Sequence, residues 1–231
     1  HRPPAFRTLV LGADEEGFAR TGQALEAQLY RRFTCEERCT ESVGGGDSTS
    51  LAAGEEWLLL LRAGDVIPPH ALFWFAWAIL QQPGARFIYA DEGRLDASGR
   101  RGDPQFKPDW SLAHARSAPF TGRAAAYHSQ SLLAAGGWPR GASAAESHDA
   151  ALRLADAVGE DAIVHIPAIL LHGSGDMRAE EQARFMESVH RHLVRRGENA
   201  RVEHGPAGTC RVRPVLPPGP PLVSIIVPTR D

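Results

Sequence analysis

The feature that most constrains the fold is an uninterrupted apolar run, Trp57-Leu58-Leu59-Leu60-Leu61, which lies between Glu56 and Arg62. A short apolar run with polar residues on both sides is typical of a β-strand that is covered on both faces of its sheet. Such a strand needs helices above and below it. The run therefore predicts an α/β protein with a mostly parallel sheet and helices on both faces.

The rest of the chain alternates between strand and helix patterns. Asp14 and Asp65 stand where each can cap a helix, and Gly197 can end one. Pro167 interrupts an apolar strand, which favours an edge position in the sheet. The predicted strands cover residues 8–11, 57–61, 86–89 and 163–171, and the predicted helices cover residues 14–33, 65–80, 147–158 and 178–197.

Two further expectations concern the helices and the long polar segment. Phe73, Trp74 and Trp77 recur at helical spacing, so we predict that they belong to the core. The helix over residues 178–197 carries i,i+4 pairs such as Glu187 with Arg191 and reads as an exposed helix. The turn-rich segment 91–110 is predicted to be a loop or a hairpin.

Length and composition narrow the function classes. The chain has 231 residues, of which 43% are hydrophobic, enough for one large domain with an ordinary core. A net charge of −3 gives no basis for bulk electrostatic binding to nucleic acid.

The longest apolar run, 71–80, is too short to cross a bilayer, so no integral membrane segment is expected. Three cysteines cannot build a disulfide framework, and Cys35 and Cys39 read as free thiols rather than as metal ligands on one helix face. We expect a cytoplasmic location, with the inner face of the membrane as the alternative.

A proline-rich segment divides the chain near its end. Residues 214–221 contain the prolines of an extended linker. The apolar residues that follow, 222–231, are typical of a strand. We therefore predict one domain over residues 1–213, a linker, and the first strand of a second domain.

Several motifs in the middle of the chain resemble those of family 2 glycosyltransferases, and most of all the tandem enzymes that build bacterial cell-surface polysaccharides. The principal motifs are Ile88-Tyr89-Ala90-Asp91-Glu92 and Asp103-Pro104-Gln105-Phe106-Lys107-Pro108-Asp109-Trp110-Ser111, and the supporting ones are Ala134-Ala135-Gly136-Gly137-Trp138, Asp149-Ala150-Ala151-Leu152-Arg153-Leu154 and the segment from Ile163 to His172. The segment Val223-Ser224-Ile225-Ile226-Val227-Pro228-Thr229 resembles the opening strand of another such domain in the same chain.

The resemblance implies a GT-A fold and a definite reaction. Members of the family transfer a sugar, with inversion, from a nucleotide-diphosphate donor to an acceptor hydroxyl, here that of a glycan. They usually need Mn²⁺ or Mg²⁺. The donor site is expected outside the carboxyl ends of the strands.

The metal motif of the family is substituted in this chain. The residues at its position are Arg62-Ala63-Gly64, followed by Asp65. Asp65 either holds the metal or only caps a helix. Arg62 is a candidate for binding the donor diphosphate without a metal, since its planar guanidinium suits phosphate oxygens. His172 falls where the family places a histidine that can ligate the metal, and the alternative is a purely structural histidine.

The catalytic base of the family is also missing. Ser147 stands at its position, and serine is no base at neutral pH. Glu146, His148 and Asp149 are nearby, and Glu146 and Asp149 are weak base candidates, with Asp149 more simply read as a helix cap. For the acceptor or sugar we name Asp91, Glu92, Trp110 and Gly137, of which Asp91 is favoured over Glu92 because adjacent strand residues face opposite sides. Trp110 is either a sugar platform or a packing residue. Glu41 is a candidate for reading the nucleobase.

Two functions follow from this conflict between fold and site. In the first, the chain is a glycosyltransferase domain that binds its donor and works, at a reduced level, through substituted residues. In the second, it is a catalytically silent GT-A scaffold or glycan-binding module that supports an active glycosyltransferase domain beginning near Leu222.

Overall fold

The computed structural model describes residues 2–39, 56–96, 98–138, 144–173, 179–216, 218–219 and 222–228. The strands in these ranges are β1 (Phe6–Gly12), β2 (Phe33–Cys39), β3 (Trp57–Arg62), β4 (Phe87–Leu95), β5 (Arg101–Gln105), β6 (Ala125–His128), β7 (Ile163–Gly173), β8 (Ala200–His204) and β9 (Cys210–Pro214). The α-helices are α1 (Glu15–Glu26), α2 (Ala71–Gln81), α3 (Leu112–Ala115), α4 (Ser129–Ala134), α5 (Ala144–Val158) and α6 (Ala179–Arg195).

Seven of the strands form one mixed sheet in the order β2-β1-β3-β6-β4-β5, with β7 paired to β4. β1 is parallel to β2 and β3, and β4 is parallel to β7. β6 is antiparallel to both β3 and β4 and therefore joins two parallel groups that run in the same direction. The mostly parallel α/β architecture expected from the sequence is confirmed, and β7, which contains Pro167, lies beside β4 in the position expected for an edge strand.

The apolar run that defines β3 is buried on both faces. Leu59 and Leu61 pack with α1 and α2, while Leu58 and Leu60 pack on the face that α5 covers. A third cluster lies between α5, α6 and the β8–β9 hairpin, where Phe185, Val189 and Leu193 are at most 1% exposed. α6 is therefore amphipathic, with one buried stripe, whereas the sequence predicted an exposed helix.

Three helix boundaries differ from the sequence expectation. α1 is capped by Asp14 as predicted, but it ends at Glu26 because Phe33 opens β2. α2 begins at Ala71 after His70, so Asp65 does not cap it. α5 begins at Ala144, which places Asp149 inside the helix and not at its cap.

The aromatic residues of α2 overturn the prediction that they belong to the core. Phe73, Trp74 and Trp77 are 47%, 39% and 48% exposed. The helix buries Leu72 and Phe75 instead. Because α2 carries apolar residues on all sides, its spacing alone did not identify the face that packs on the sheet.

The β8–β9 hairpin was not predicted, because its five-residue strands are rich in Arg and His and show little hydrophobic alternation.

Residues 222–228 are exposed and pair with no described strand, and the second domain remains a prediction. Cys35 lies on β2 and not on a helix, and Cys35 and Cys210 are free thiols.

Candidate functional site

The carboxyl ends of β1, β3, β4 and β7 meet along one edge of the sheet, because these strands share one direction. Since β6 runs the opposite way, its first residue lies at the same edge. Ligands of open α/β sheets bind outside the carboxyl ends of the strands. We call this side of the sheet the carboxyl edge, and the residues that follow β3, precede β6 and end β7 lie along it.

Asp65 and Arg123 form a buried ion pair at the carboxyl edge. Asp65 is 1% exposed, and Nη1 of Arg123 donates to its Oδ1 and Oδ2 at 2.9 and 3.0 Å. Oδ2 also accepts the backbone N–H of Arg62 at 2.8 Å. Burial raises the pKa of Asp65, and the nearby guanidinium and N–H offset that effect only in part.

Glu92 anchors the segment that carries Arg123. Its Oε1 accepts hydrogen bonds from the backbone N–H of Arg123, from that of Ala124 at 2.6 Å and from Nζ of Lys107 at 2.9 Å. Nζ of Lys107 also donates to the carbonyl of Thr121 at 2.8 Å. Burial alone would raise the pKa of Glu92, but Lys107 and the backbone donors outweigh it and hold the pKa below its usual value.

Two glycines leave the space that this arrangement fills. A Cβ on Gly173, the last residue of β7, would lie 1.9 Å from Nη2 of Arg123 and 2.8 Å from Oδ1 of Asp65. Gly122 has a φ of +64°, and a Cβ there would lie 2.2 Å from Oε1 of Glu92. Gly173 therefore lets the end of β7 approach the Asp65–Arg123 pair, and Gly122 lets the chain before Arg123 approach Glu92.

Asp91 faces a different set of partners from Glu92. Its Oδ1 accepts the backbone N–H of Lys107 at 2.8 Å and lies 2.9 Å from Nε2 of His165, whose Nδ1 is 3.2 Å from Asp109. The ring of His165 stacks on Tyr89 with centroids 4.9 Å apart. The two acids thus diverge as adjacent strand residues should, but Glu92, which we ranked second, is the one joined to the carboxyl edge through Arg123.

His172 and Arg62 also lie near Asp65. The backbone of His172 pairs with that of Val66 through two hydrogen bonds of 2.8 Å. Its ring lies over Gly93, and Nδ1 is buried with no hydrogen-bond partner among the described residues. Burial and the charge of Arg101 lower the pKa of His172, which favours the neutral imidazole. Arg62 ends β3 and is only partly exposed.

The base candidates on α5 are held by arginines of α5 and α6. Asp149 is 3.0 Å from Nε of Arg153 and 3.4 Å from Nη2 of Arg191. Glu146 is 3.7 Å from Nη1 of Arg184. His148 is 1% exposed beside Phe185, and burial lowers its pKa to about 3, so it is a neutral packing residue.

The remaining acceptor candidates serve the packing of the domain. Trp110 contacts Phe87 and Phe120, with ring centroids 6.3 and 6.0 Å away. Phe87 is the first residue of β4, at the opposite end of the sheet from the carboxyl edge. The carbonyl of Gly137 accepts a 2.7 Å hydrogen bond from Arg153. The structure therefore brings Asp65, Glu92, Arg62 and His172 toward one edge and separates Trp110 from them.

Sequence reasoning missed Arg123, Lys107 and His165. Arg123 is 58 residues from Asp65 and lies in no recognisable motif. Lys107 did offer a signal, because it is the one lysine in a chain with 25 Lys and Arg residues. Glu41, the nucleobase candidate, lies outside the described residues.

The architecture and the charged carboxyl edge define a GT-A fold of the kind found in nucleotide-sugar glycosyltransferases. Solved structures with this fold include S. aureus TarS 1-349 in complex with UDP-GlcNAc (TM-score 0.58, 13% identity, covering 82% of this chain and 66% of that one). Another is the mannosyltransferase PcManGT from Pyrobaculum calidifontis in complex with GDP-Man and Mn²⁺ (TM-score 0.53, 14% identity, 84% and 64% coverage). Glucosyl-3-phosphoglycerate synthase from Mycobacterium tuberculosis with Mg²⁺ and uridine-diphosphate is a third (TM-score 0.54, 12% identity, 91% and 88% coverage).

Curated sequence relatives are longer proteins. The chain is 37% identical over 181 residues to the O-antigen biosynthesis protein RfbC of Myxococcus xanthus, covering 74% of this chain and 14% of that protein. It is 30% identical over 186 residues to the uncharacterized protein y4gI of Sinorhizobium fredii, covering 76% of this chain and 20% of that protein. The chain thus spans a fifth or less of each relative. No family model matches the chain. The structural neighbours and RfbC agree with the resemblance to family 2 glycosyltransferases.

No helix in the described ranges combines the length and hydropathy that crossing a bilayer requires. The same ranges contain no group of three or more His, Cys, Asp or Glu residues arranged to hold a metal ion. Asp65 is the carboxylate that follows β3, and both of its oxygens already bind Arg123. Carboxylate oxygens are the ligands that Mn²⁺ and Mg²⁺ prefer. The described residues therefore do not fit the divalent cation that the fold implies.

Proposed function

We propose that this chain is a glycosyltransferase domain that binds a nucleotide-diphosphate sugar at the carboxyl edge and transfers the sugar, with inversion, to a glycan acceptor in cell-surface polysaccharide synthesis. The observation that carries the proposal is the convergence of Arg123, Asp65, Glu92 and Lys107 at the carboxyl ends of β3, β4 and β7. Charged groups are buried there at the cost of desolvation, which is typical of functional sites.

A nucleotide-sugar donor is favoured by the fold and by the ligands of the structural neighbours. The neighbours include complexes with UDP-GlcNAc, UDP and GDP-Man. The developing negative charge of a leaving diphosphate needs a cation in the transition state. We assign this task to Arg123, whose guanidinium contacts Asp65, and to Arg62, whose charge also acts on Asp65.

The contacts of the two base candidates on α5 support a reduced rate of transfer. Asp149 forms a buried ion pair with Arg153 and a second contact with the half-exposed Arg191, so accepting a proton from a hydroxyl would disrupt a buried ion pair. Glu146 is the other base candidate, and it forms a 3.7 Å ion pair with Arg184. A base displaced by 1 Å can cost about 100-fold in rate.

The second function remains a catalytically silent GT-A scaffold or glycan-binding module beside an active domain downstream. The specific observation in its favour is that Ser147, whose position the family gives to the base, is 7% exposed and has its carbonyl 3.4 Å from the hydroxyl of Tyr127. A downstream glycosyltransferase domain beginning near residue 222 is part of both proposals.

Thermal-shift titration tests whether the donor binds. The chain is titrated with UDP, UDP-GlcNAc, GDP and GDP-Man, in the presence of Mn²⁺. A ligand at about 100 times its Kd adds about 2.7 kcal/mol, which is roughly 5–10 °C for a domain of this size. A rise with at least one nucleotide is expected, and no rise with any of them would overturn the donor-binding proposal.

Donor hydrolysis separates the two functions. Release of nucleoside diphosphate from the donor that binds is measured over hours for the wild-type chain and for Glu146→Gln. Slow release that Glu146→Gln abolishes is the result expected of an impaired transferase. Binding without any release favours the silent module.

A further inference from the structure

We infer that the guanidinium of Arg123 occupies the place of the divalent cation and holds the donor diphosphate directly, so that nucleotide binding by this chain does not depend on Mn²⁺ or Mg²⁺. The inference rests on the proposed donor-binding function and names the group that recognises the diphosphate. The starting observation is that the carboxylates at the carboxyl edge already have cationic or N–H partners and so do not fit a metal ion.

Each acid at the carboxyl ends of β3 and β4 already has a cationic or N–H partner. Asp65 is bound through both oxygens by Nη1 of Arg123. Glu92 accepts from Lys107 and from two backbone N–H groups. A metal ion at Asp65 would have to displace a guanidinium from a carboxylate that is 1% exposed.

The position of Arg123 is fixed by contacts that leave part of its guanidinium uncommitted. Its backbone N–H donates to Glu92. Its Nη2 lies against the Cα of Gly173, where any side chain would clash. Nε and Nη2 donate to no described residue, and the side chain is 14% exposed. A guanidinium held on one side by a carboxylate can still present its other N–H groups to phosphate oxygens.

The acids beside Arg123 are matched by cations, which limits their repulsion of an anionic ligand. The negative charge of Asp65 fixes Arg123, and the negative charge of Glu92 is matched by Lys107. The backbone N–H of Arg62, the last residue of β3, donates to Asp65 and so helps to fix the carboxylate that holds Arg123. An arginine stays charged at every physiological pH. Arg123 can therefore supply the positive charge that a bound divalent cation would otherwise supply to the diphosphate.

Isothermal titration calorimetry with UDP and GDP tests the inference. Wild-type protein is titrated once in EDTA and once in Mn²⁺, and Arg123→Lys and Asp65→Asn are titrated in EDTA. Arg123→Lys keeps the charge but removes the planar fork. Asp65→Asn keeps a carbonyl oxygen to orient Arg123 but removes the only carboxylate after β3 that a metal could use. Melting temperatures confirm that each variant is folded.

The inference predicts a wild-type Kd that agrees within about twofold in EDTA and Mn²⁺, a Kd at least tenfold weaker for Arg123→Lys, and a smaller loss of affinity for Asp65→Asn, whose amide oxygen still accepts from Arg123. Wild-type binding that requires Mn²⁺ would overturn the inference while leaving the donor-binding proposal intact. Absence of nucleotide binding in both buffers would overturn both. Unchanged affinity in folded Arg123→Lys would overturn the inference alone.

Discussion

Arg123 and Asp65, 58 residues apart in the sequence, form a bifurcated contact at the carboxyl edge of the sheet, in which one guanidinium nitrogen donates to both carboxylate oxygens. The pair joins the turn after β3 to the segment before β6, and Gly173 brings the end of β7 against it. The ion pair therefore connects the ends of β3, β6 and β7. It lies on the side of the sheet where open α/β proteins generally bind their ligands.

The buried ion pair between Asp65 and Arg123 should contribute strongly to the stability of the folded chain. Arg123→Ala leaves Asp65 charged, buried and without its cation, which we expect to lower the free energy of unfolding by about 3–5 kcal/mol. Arg20→Ala is the matched control, because Arg20 and Glu16 form a pair that is 47% and 83% exposed. Its loss should cost less than about 1 kcal/mol. Urea denaturation measures both, and equal effects would contradict the assignment.

Gly173 should not tolerate a side chain. Gly173→Ala places a methyl group 1.9 Å from Nη2 of Arg123, so the arginine or β7 must move. We expect a loss of about 1–3 kcal/mol, the usual cost of overpacking. Gly22→Ala is the control, because Gly22 lies within α1 and a Cβ there meets nothing within 4 Å. That variant should gain about 0.5–1 kcal/mol, and a neutral Gly173→Ala would argue against the close approach.

Burial of His148 should make stability depend on pH in a defined window. Its pKa is about 3 in the folded chain against an ordinary value of 6.5, chiefly because of burial and secondarily because of His192. Between these values the unfolded chain binds a proton that the folded chain does not, so stability is greatest above pH 6.5 and falls as the pH is lowered. The loss from pH 6.5 to 5 is about 2 kcal/mol.

Replacement of His148 isolates that contribution. His148→Leu should flatten the dependence of the unfolding free energy between pH 6.5 and 5, as measured by denaturation at each pH. His190 is exposed on α6, and His190→Gln should leave the slope unchanged. An unchanged slope in His148→Leu would mean that His148 is accessible to solvent.

The exposed aromatic residues of α2 should contribute little to folding. Trp77 is 48% exposed and stacks on Phe73, whereas Phe75 is 2% exposed in the core. Trp77→Gln should change the free energy of unfolding by less than about 1 kcal/mol. Phe75→Ala should cost about 3–5 kcal/mol. A large loss of unfolding free energy in Trp77→Gln would instead indicate that Trp77 belongs to the core, as its helical spacing predicted.

Much of the fold could be predicted because its signals are local. The run 57–61 became β3, Asp14 capped α1, and Pro167 lay in an edge strand, since burial on two faces, capping and a missing N–H each act over a few residues. The faces of α2 could not be predicted, because an all-apolar helix has no hydrophobic stripe to orient it.

The site was less predictable, because its central contacts join distant segments. The sequence identified Asp65 and Glu92 but not their partners Arg123 and Lys107, since ion pairs across a sheet follow no spacing rule. The motif containing Trp110 was found, yet Lys107 contacts Glu92 whereas Trp110 contacts Phe87, the first residue of β4, so the two residues of the motif lie at different points along that strand.

A crystal structure of this chain with bound UDP or GDP tests the central claim most directly. The account predicts the diphosphate at the carboxyl edge, with its oxygens within hydrogen-bonding distance of Arg123 and with Asp65 still bound to that arginine. A nucleotide found elsewhere on the domain, or a metal ion bound to Asp65 in place of Arg123, would contradict it.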